Sequence, residues 1–171
     1  MPSPPTPPTA PRRPIPAPAV VALVAAVVVL DRATKIWAVA FLPEGRRLSF
    51  LGDVFRLELL RNPGAFLGLG GGLPEGVRAA IFTWGVAALT LGALVVAFRR
   101  GVAARTALGA ALVGAGGLGN LWDRIAEGGH VIDFLNLGVG PLRTGIFNVA
   151  DMAITAGVIL LLLPAGRPPR D

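Results

Sequence analysis

Four long apolar stretches constrain the fold of this chain more than any other feature. They cover about residues 19–42, 79–98, 103–122 and 146–163, and each approaches the roughly 20 residues that a membrane-spanning helix needs. Only 15% of the residues are charged, whereas soluble domains carry about 25%. The sequence therefore predicts an α-helical polytopic membrane protein in which four transmembrane helices form a single domain, residues 19–163.

The segments around these stretches differ in composition. Residues 1–18 are proline-rich and predict a disordered tail, and residues 164–171 form a second, short tail. Residues 43–78 alternate apolar and polar side chains in part and then become glycine-rich, which predicts a small β-sheet followed by a loop. For residues 124–145 we expect a short helix or loop. The first apolar stretch runs past Lys35 without a small-residue cleavage site, which favours an uncleaved span over a signal peptide.

The arginines predict the orientation of the chain. Four spans place both termini on one side, where three short segments carry seven arginines, with Asp171 as the only acid. These arginines are Arg12, Arg13, Arg99, Arg100, Arg105, Arg167 and Arg170. Because cytoplasmic loops carry an excess of basic residues, we expect both termini in the cytoplasm and residues 43–78 and 124–145 outside it. The basic residues have no interleaved aromatics, so no nucleic-acid partner is indicated.

The residue types that are scarce in the sequence limit its chemistry. The chain has no cysteine, which excludes disulfides, thiol nucleophiles and thiolate metal sites. His130 is the single histidine, and the serines are Ser3 and Ser49, so a serine triad would need residues far apart in sequence. One histidine with carboxylates is also a poor zinc site. If the protein is an enzyme, carboxylates are the natural catalytic groups.

Polar residues of three predicted helices lie at a similar depth. With a rise of about 1.5 Å per residue, Asp31 and Lys35 lie about 18 and 24 Å along the first helix. Asn120 lies about 22 Å and Asp151 about 18 Å from the cytoplasmic ends of the third and fourth helices. Polar groups at membrane depth are costly and commonly functional. The sequence therefore predicts a polar site in the outer half of the membrane.

Two acids have a basic neighbour in the sequence. Lys35 follows Asp31 by one helical turn, in the acid-before-base order that favours an ion pair. Arg124 directly follows Asp123. We interpret both acids as compensated ions. Asp31 and Lys35 form a pair that holds the first helix to its neighbours, and Asp123 lies near the membrane surface beside Arg124, which pairs either with Asp123 or with lipid headgroups.

Asp133 and Asp151 have no such neighbour. Asp133 lies in the apolar sequence HVIDFLNL and Asp151 in NVADMAI. Two partly desolvated carboxylates near each other do not both ionise easily, so they share a proton. That is the state in which one carboxylate takes a proton from water and the other donates one to a scissile carbonyl. A structural alternative is that both acids cap helix N-termini.

Five short motifs occur in one order along the chain. They are DRATK at 31–35, NPGAFLG at 62–68, GGLGNLWDR at 116–124, VIDF at 131–134 and FNVAD at 147–151. Each motif is weak evidence alone. Their order and spacing, together with the four predicted spans, make the chain resemble signal peptidase II, the family of bacterial lipoprotein signal peptidases.

This resemblance implies a membrane aspartic endopeptidase of the bacterial inner membrane, with its active site towards the extracytoplasmic side. Such an enzyme cuts a prolipoprotein just before the cysteine that carries diacylglycerol. The resemblance implies Asp133 and Asp151 as the catalytic pair. The implied substrate-binding or supporting positions are Asp31, Lys35, Asn62, Gly64, Gly116, Asn120, Asp123, Arg124 and Asn148. It implies no metal or cofactor and no partner besides the substrate and membrane lipids, and we expect a monomer.

Other functions are compatible with buried acids. A small transporter or proton pathway also carries them at membrane depth, although here they cluster at one depth and no internal repeat is visible. A non-catalytic assembly factor is a third alternative, and it would tolerate Asp133→Asn. For Asn62, Asn120 and Asn148 the alternative to substrate contact is hydrogen bonding between helices.

Overall fold

The computed structural model describes residues 15–64 and 72–164, and these residues form a helical bundle with a small antiparallel sheet. The helices are α1 (Ala17–Phe41), α2 (Glu75–Ala79), α3 (Val86–Phe98), α4 (Ala104–Ala126) and α5 (Val149–Leu162), and a π-helical turn (Ala80–Gly85) joins α2 to α3. The strands are β1 (Arg47–Phe50), β2 (Phe55–Asn62), β3 (Val131–Val139) and β4 (Leu142–Arg143). The predicted mostly helical fold with a small sheet is confirmed.

Helix α4 lies at the centre of the bundle and packs against α1, α3 and α5. Glycines allow this close approach: a Cβ at Gly109 would lie 2.9 Å from the carbonyl oxygen of Gly157 on α5. At Gly116 a Cβ would meet the main chain of Ala150 and the side chain of Ile154. Small residues are the usual means by which helices pack closely in lipid, so the glycine- and alanine-rich sequence of α4 explains its central place.

The sheet has the order β1-β2-β3-β4, and β3 follows the C-terminal end of α4. In its register Leu60 faces Asp133 and Asn62 faces Val131. An irregularity between Leu57 and Leu60 shifts the pairing. The sheet thereby brings the end of β2, which carries Asn62, beside the acid of β3.

The predicted sheet was too small. We expected it within residues 43–78, with a short helix or loop at 124–145, but the structure adds β3 and β4 from that second segment. Part of the segment is helical, because α4 continues to Ala126 before Gly128 and Gly129 end it with positive φ angles. Gly129 N–H closes the helix on the carbonyl of Arg124, as in a glycine C-cap.

Helix bounds differ from the predicted spans by a few residues. α1 begins at Ala17 and α4 ends at Ala126, whereas α5 begins only at Val149, where Asn148 caps it. The predicted tails lie mostly outside the described residues, as do residues 65–68 of the NPGAFLG motif.

Among the described helices, the one from Gly76 to Phe98 has the length and composition of a membrane span, with a mean hydropathy of 2.1. Helix α5 is apolar but has only 14 residues. The bundle also buries charge, because Asp31 and Lys35 of α1 have no solvent exposure.

Candidate active site

Strand β3 and the first turn of α5 bring Asp133 and Asp151 to one cavity. The cavity has a volume of about 290 Å³. Asp133 is 2% exposed, and Asp151 is half-buried. The remaining lining residues are Asn62, Gly64, Val86, Asn120, Arg124, Val131, Ile154 and Thr155. Four of the polar residues and glycines that we predicted from the sequence therefore line the cavity with the two acids: Asn62, Gly64, Asn120 and Arg124.

Asn148 connects the two carboxylates. Its Nδ2 donates to Asp133 Oδ1 at 2.7 Å, and its main-chain N–H donates to Asp151 Oδ2 at 3.2 Å. Its Oδ1 accepts from the N–H of Asp151 at 2.9 Å, so the two residues form a capping box at the start of α5. Asp151 thus has the helix-capping position that we considered as an alternative, and it faces the cavity as well.

Two further asparagines complete the hydrogen bonds of the pair. Asn62 Nδ2 donates to Asp133 Oδ2 at 2.9 Å, and Asn120 Nδ2 donates to Asp151 Oδ1 at 2.8 Å. Each of the four carboxylate oxygens therefore accepts from an amide N–H. Amides stabilise a carboxylate without neutralising it, so the two acids keep their electrostatic effect on each other.

The environment of Asp133 favours its neutral form. Burial and the neighbouring Asp151 carboxylate raise the pKa of Asp133 to about 7, although hydrogen bonds from Asn62 and Asn148 act in the opposite direction. Desolvation and a like charge are the two common causes of such a rise. Asp133 can therefore hold a proton near neutral pH.

A buried ionic network supports the site from the side of α1. The predicted ion pair is present, with Lys35 Nζ at 2.9 Å from Asp31 Oδ2. Lys35 also lies 2.7 Å from Asp123 Oδ2, and it donates to Asn120 Oδ1 at 3.2 Å. Because Asn120 in turn donates to Asp151, the network reaches the candidate dyad through one amide.

The same network joins three other elements to α1. Asp31 Oδ1 accepts from the N–H of Ala150 in α5 at 2.9 Å. Asp123 Oδ2 accepts from the N–H of Ile132 in β3 at 3.1 Å, and Arg32 is a further ion-pair partner of Asp123. The network therefore fixes the two main-chain segments that carry the candidate acids.

The predicted pairing of Asp123 with Arg124 is wrong. Asp123 is fully buried and pairs with Lys35 and Arg32 of α1. Arg124 instead donates to the carbonyls of Asn120, at 3.2 Å, and Gly64, at 3.0 Å. Neighbouring residues of a helix do not face each other, which is why the two side chains diverge.

The two predicted glycines have different surroundings. The N–H of Gly64 donates to Asn62 Oδ1 at 3.0 Å, and its carbonyl accepts from Arg124, so it belongs to the wall of the cavity. Gly116 lies between helices against Ala150. Gly116 therefore allows α5 to pack closely on α4.

Some residues of the site were missed. Arg32 lies within the DRATK motif beside Asp31, so its position in the sequence could have indicated it. Val86, Ile154 and Thr155 line the cavity, but nothing in an apolar helix sequence distinguishes them. Among the described residues, no group of three or more His, Cys, Asp or Glu side chains is arranged to hold a metal ion.

The chain is similar to known proteins over most of its length. A family model described as signal peptidase (SPase) II matches residues 23–165. The lipoprotein signal peptidase of Rhodococcus jostii is 39% identical over 145 residues, which are 80% of this chain and 67% of that protein. That of Mycobacterium leprae is 36% identical over 149 residues, which are 82% of this chain and 68% of that protein. The chain thus spans about two thirds of the length of these two relatives.

A solved bacterial membrane enzyme has a similar fold. The TM-score is 0.72 at 24% sequence identity, and the similarity covers 85% of this chain and 86% of the other. At this identity the likeness concerns the fold alone.

Proposed function

The chain belongs to the signal peptidase II family of proteases, and we propose that it is an aspartic endopeptidase of the bacterial inner membrane. Its substrate is a prolipoprotein whose cysteine already carries diacylglycerol, and the cut falls just before that cysteine. Asp133 and Asp151 activate the attacking water. Membership of a protease family favours this activity over a transporter or a non-catalytic assembly factor.

One observation carries the proposal: two carboxylates from different elements line one cavity, and among the described residues the hydrogen-bond donors to their four oxygens are amides. An acid with a purely structural role is usually paired with a cation, as Asp31 and Asp123 are here. Two unpaired acids at the wall of a cavity are instead suited to exchanging protons with a bound substrate.

The surroundings of each acid suggest how the proton is placed before reaction. Asp133 holds it, because the pKa of this carboxyl is raised to about 7. We assign the ionised role to Asp151, which lies in the first turn of α5 and accepts the main-chain N–H of Asn148. The N-terminal end of a helix favours a negative charge.

From this state the reaction follows general acid–base catalysis. Asp151 takes a proton from water as the water oxygen bonds to the scissile carbonyl carbon, and Asp133 donates its proton to the carbonyl oxygen. The tetrahedral intermediate then collapses. The C–N bond breaks, Asp151 returns a proton to the leaving nitrogen, and Asp133 recovers its proton from a hydroxyl of the intermediate.

The supporting residues have two roles in this proposal. Asn62, Asn120 and Asn148 orient the carboxylates, and Arg124 with Gly64 lines the groove that receives the substrate main chain. The second role is to position α5 and β3, and it belongs to Asp31, Lys35, Asp123 and Gly116. These residues act on the reaction through Asp133 and Asp151.

We further propose that the bundle forms four transmembrane helices, at about residues 19–42, 79–98, 103–122 and 146–163. Residues 19–163 are then the peptidase domain, and the two tails, 1–18 and 164–171, lie in the cytoplasm. Support comes from large apolar side chains that the outer faces of the bundle leave exposed, such as Val29 (66%), Leu89 (72%) and Leu162 (78%). Membrane lipids cover these faces, and the enzyme acts as a monomer with its site towards the extracytoplasmic side.

The test is cleavage of a purified prolipoprotein with and without diacylglycerol, with the position of the cut read by mass spectrometry. We expect a cut just before the lipidated cysteine and none in the unmodified protein. Asp133→Asn and Asp151→Asn should abolish cleavage while the proteins stay folded. Glu58→Gln, which removes a carboxylate from the sheet away from the cavity, is the control. If wild type leaves the modified substrate intact, the proposed function is wrong.

A further inference from the structure

A second cavity lies beside the candidate active site, between the start of the second long helix and the end of α4. Its volume is about 240 Å³. The helix side supplies Arg78, Ala79, Phe82 and Thr83, the last two from the π-helical turn Ala80–Gly85. The opposite side consists of Pro63, Arg124, Gly128 and Gly129.

The two cavities share Arg124 and follow each other along α4. Asn120 lines the first, Arg124 lines both, and Gly128 lies in the second. With a rise of about 1.5 Å per residue, Arg124 lies about 6 Å beyond Asn120 along α4, and Gly128 follows just past the C-terminal end of the helix. In the proposed topology that end faces the outside of the membrane.

The second cavity is positively charged. It is lined by Arg78 and Arg124 and by no carboxylate among the described residues. The nearest acid on the same turn, Glu127, already pairs with Arg61. Arg124 is only 7% exposed, and its Nε has no hydrogen-bond partner among the described residues. A buried guanidinium N–H without an acceptor is costly, so an anionic or carbonyl group in this cavity would satisfy it.

On the basis of the proposed function, we propose that this cavity binds the substrate segment that follows the lipidated cysteine and prefers an acidic side chain there, with Arg78 as a specificity-determining residue. The apolar signal peptide stays in the membrane, whereas the mature protein leaves on the outer side. The cavity on the outer side of the dyad is therefore in the path of the mature segment.

The distance between the two cavities determines which substrate residues can reach Arg78. An extended chain advances about 3.3 Å per residue, so the roughly 6 Å to Arg124 corresponds to about two residues, and the rest of the cavity extends the reach by about one or two more. The acidic side chain should therefore lie within about four residues after the cut, and an arginine at the wall can bind it through a charge-assisted hydrogen bond.

The experiment uses the full chain in nanodiscs and diacylglyceryl-modified lipopeptides that carry Glu, Gln or Lys at the second to fourth positions after the cut. We expect wild type to cleave the Glu peptide with a kcat/KM about fivefold above that of the Lys peptide, as for a partly exposed ion pair. Arg78→Gln should weaken this preference, because Arg124 remains in the cavity, and Arg78→Glu should abolish or reverse it. Arg99→Gln, at the opposite end of the bundle, should keep it.

Three results would overturn the inference. Equal kcat/KM for the Glu and Lys peptides with wild type means that the cavity does not select acidic residues. A preference that survives in Arg78→Glu means that another residue is responsible. A rate that follows the content of anionic phospholipid, and loses this dependence in Arg78→Gln, means that a lipid headgroup is the occupant. If no peptide is cleaved, the proposed function fails together with the inference.

Discussion

Replacing Lys35 by methionine should destabilise the protein severely. Lys35 is fully buried and lies 2.9 Å from Asp31 and 2.7 Å from Asp123, which are also fully buried. Lys35 and Arg32 together balance the charges of these two carboxylates. Without Lys35, Arg32 still compensates Asp123, but Asp31 is left as a buried charge with no ion-pair partner among the described residues.

Removal of one partner from a buried ion pair costs about 3–5 kcal/mol, and we expect Lys35→Met to lie in this range. The additional change Asp31→Asn removes the uncompensated charge and keeps an oxygen that can accept from Ala150 N–H. The double variant should therefore recover about 1–3 kcal/mol relative to the sum of the single variants.

The assay is the free energy of unfolding in mixed micelles, followed by tryptophan fluorescence during an SDS titration. The control is Arg47→Met, which breaks the partly exposed Arg47–Glu58 pair and should cost less than about 1 kcal/mol. Equal costs for Lys35→Met and Arg47→Met would refute the reasoning. Additive effects of Lys35→Met and Asp31→Asn would refute it as well.

Four further predictions concern Asp133, Gly119 and Asn148. Because the pKa of Asp133 is raised from 3.8 to about 7, the folded protein keeps a proton that the unfolded chain loses. The melting temperature should therefore fall as pH rises from about 4 to about 7, and that of Asp133→Asn should fall less. Equal slopes of melting temperature against pH for the two proteins would contradict us. For the same reason kcat/KM should decline above pH about 7, and a flat profile to pH 9 would argue against a proton on Asp133. Gly119→Ala should lower the stability of the protein, since its Cβ would lie 2.6 Å from Asp31 Oδ2. The control Gly92→Ala has nothing within 4 Å of the new Cβ and should be neutral or stabilising by up to about 1 kcal/mol. Equal melting temperatures for the two variants would count against the packing argument. Asn148→Ser keeps a capping oxygen and should be about 1 kcal/mol more stable than Asn148→Ala. Both variants should nevertheless lose about 100-fold in kcat, as when a stabilising donor is removed. Full activity in Asn148→Ser would show that the side-chain amide of Asn148 is dispensable.

The regular geometry of helices made part of the site predictable. A constant rise per residue placed Asp31, Lys35, Asn120 and Asp151 at one depth, and in the structure a chain of contacts links them, from Asp31 through Lys35 and Asn120 to Asp151. Depth follows from residue number alone. The direction in which each side chain points around its helix does not, because it depends on how neighbouring helices pack.

The pairing of Asp123 shows this limit. Adjacency to Arg124 in the sequence indicated an ion pair, but successive helical residues point in different directions. Asp123 faces α1 and Arg124 faces Gly64. The partners of Asp123 lie about 90 residues earlier in the chain, where a single sequence gives no sign of the contact.

Strand β3 was unpredictable for a different reason. Its first four residues, Val131 to Phe134, are all buried, so the strand lacks the alternation that identifies a half-buried strand. Its conformation depends on pairing with β2, and that pairing also places Asn62 beside Asp133. The sequence therefore indicated Asp133 as an acid without a local partner, but the donor that holds it came from the tertiary structure.

The central claim is that Asp133 and Asp151 act as one catalytic unit, and a double-mutant cycle on kcat/KM tests it most directly. Wild type, Asp133→Asn, Asp151→Asn and the double variant would be compared on one diacylglyceryl-modified prolipoprotein. Because each acid needs the other, we predict that all three variants have the same residual rate, at least about 10⁴-fold below wild type. A single variant that keeps the wild-type rate, or losses that multiply in the double variant, would contradict the claim.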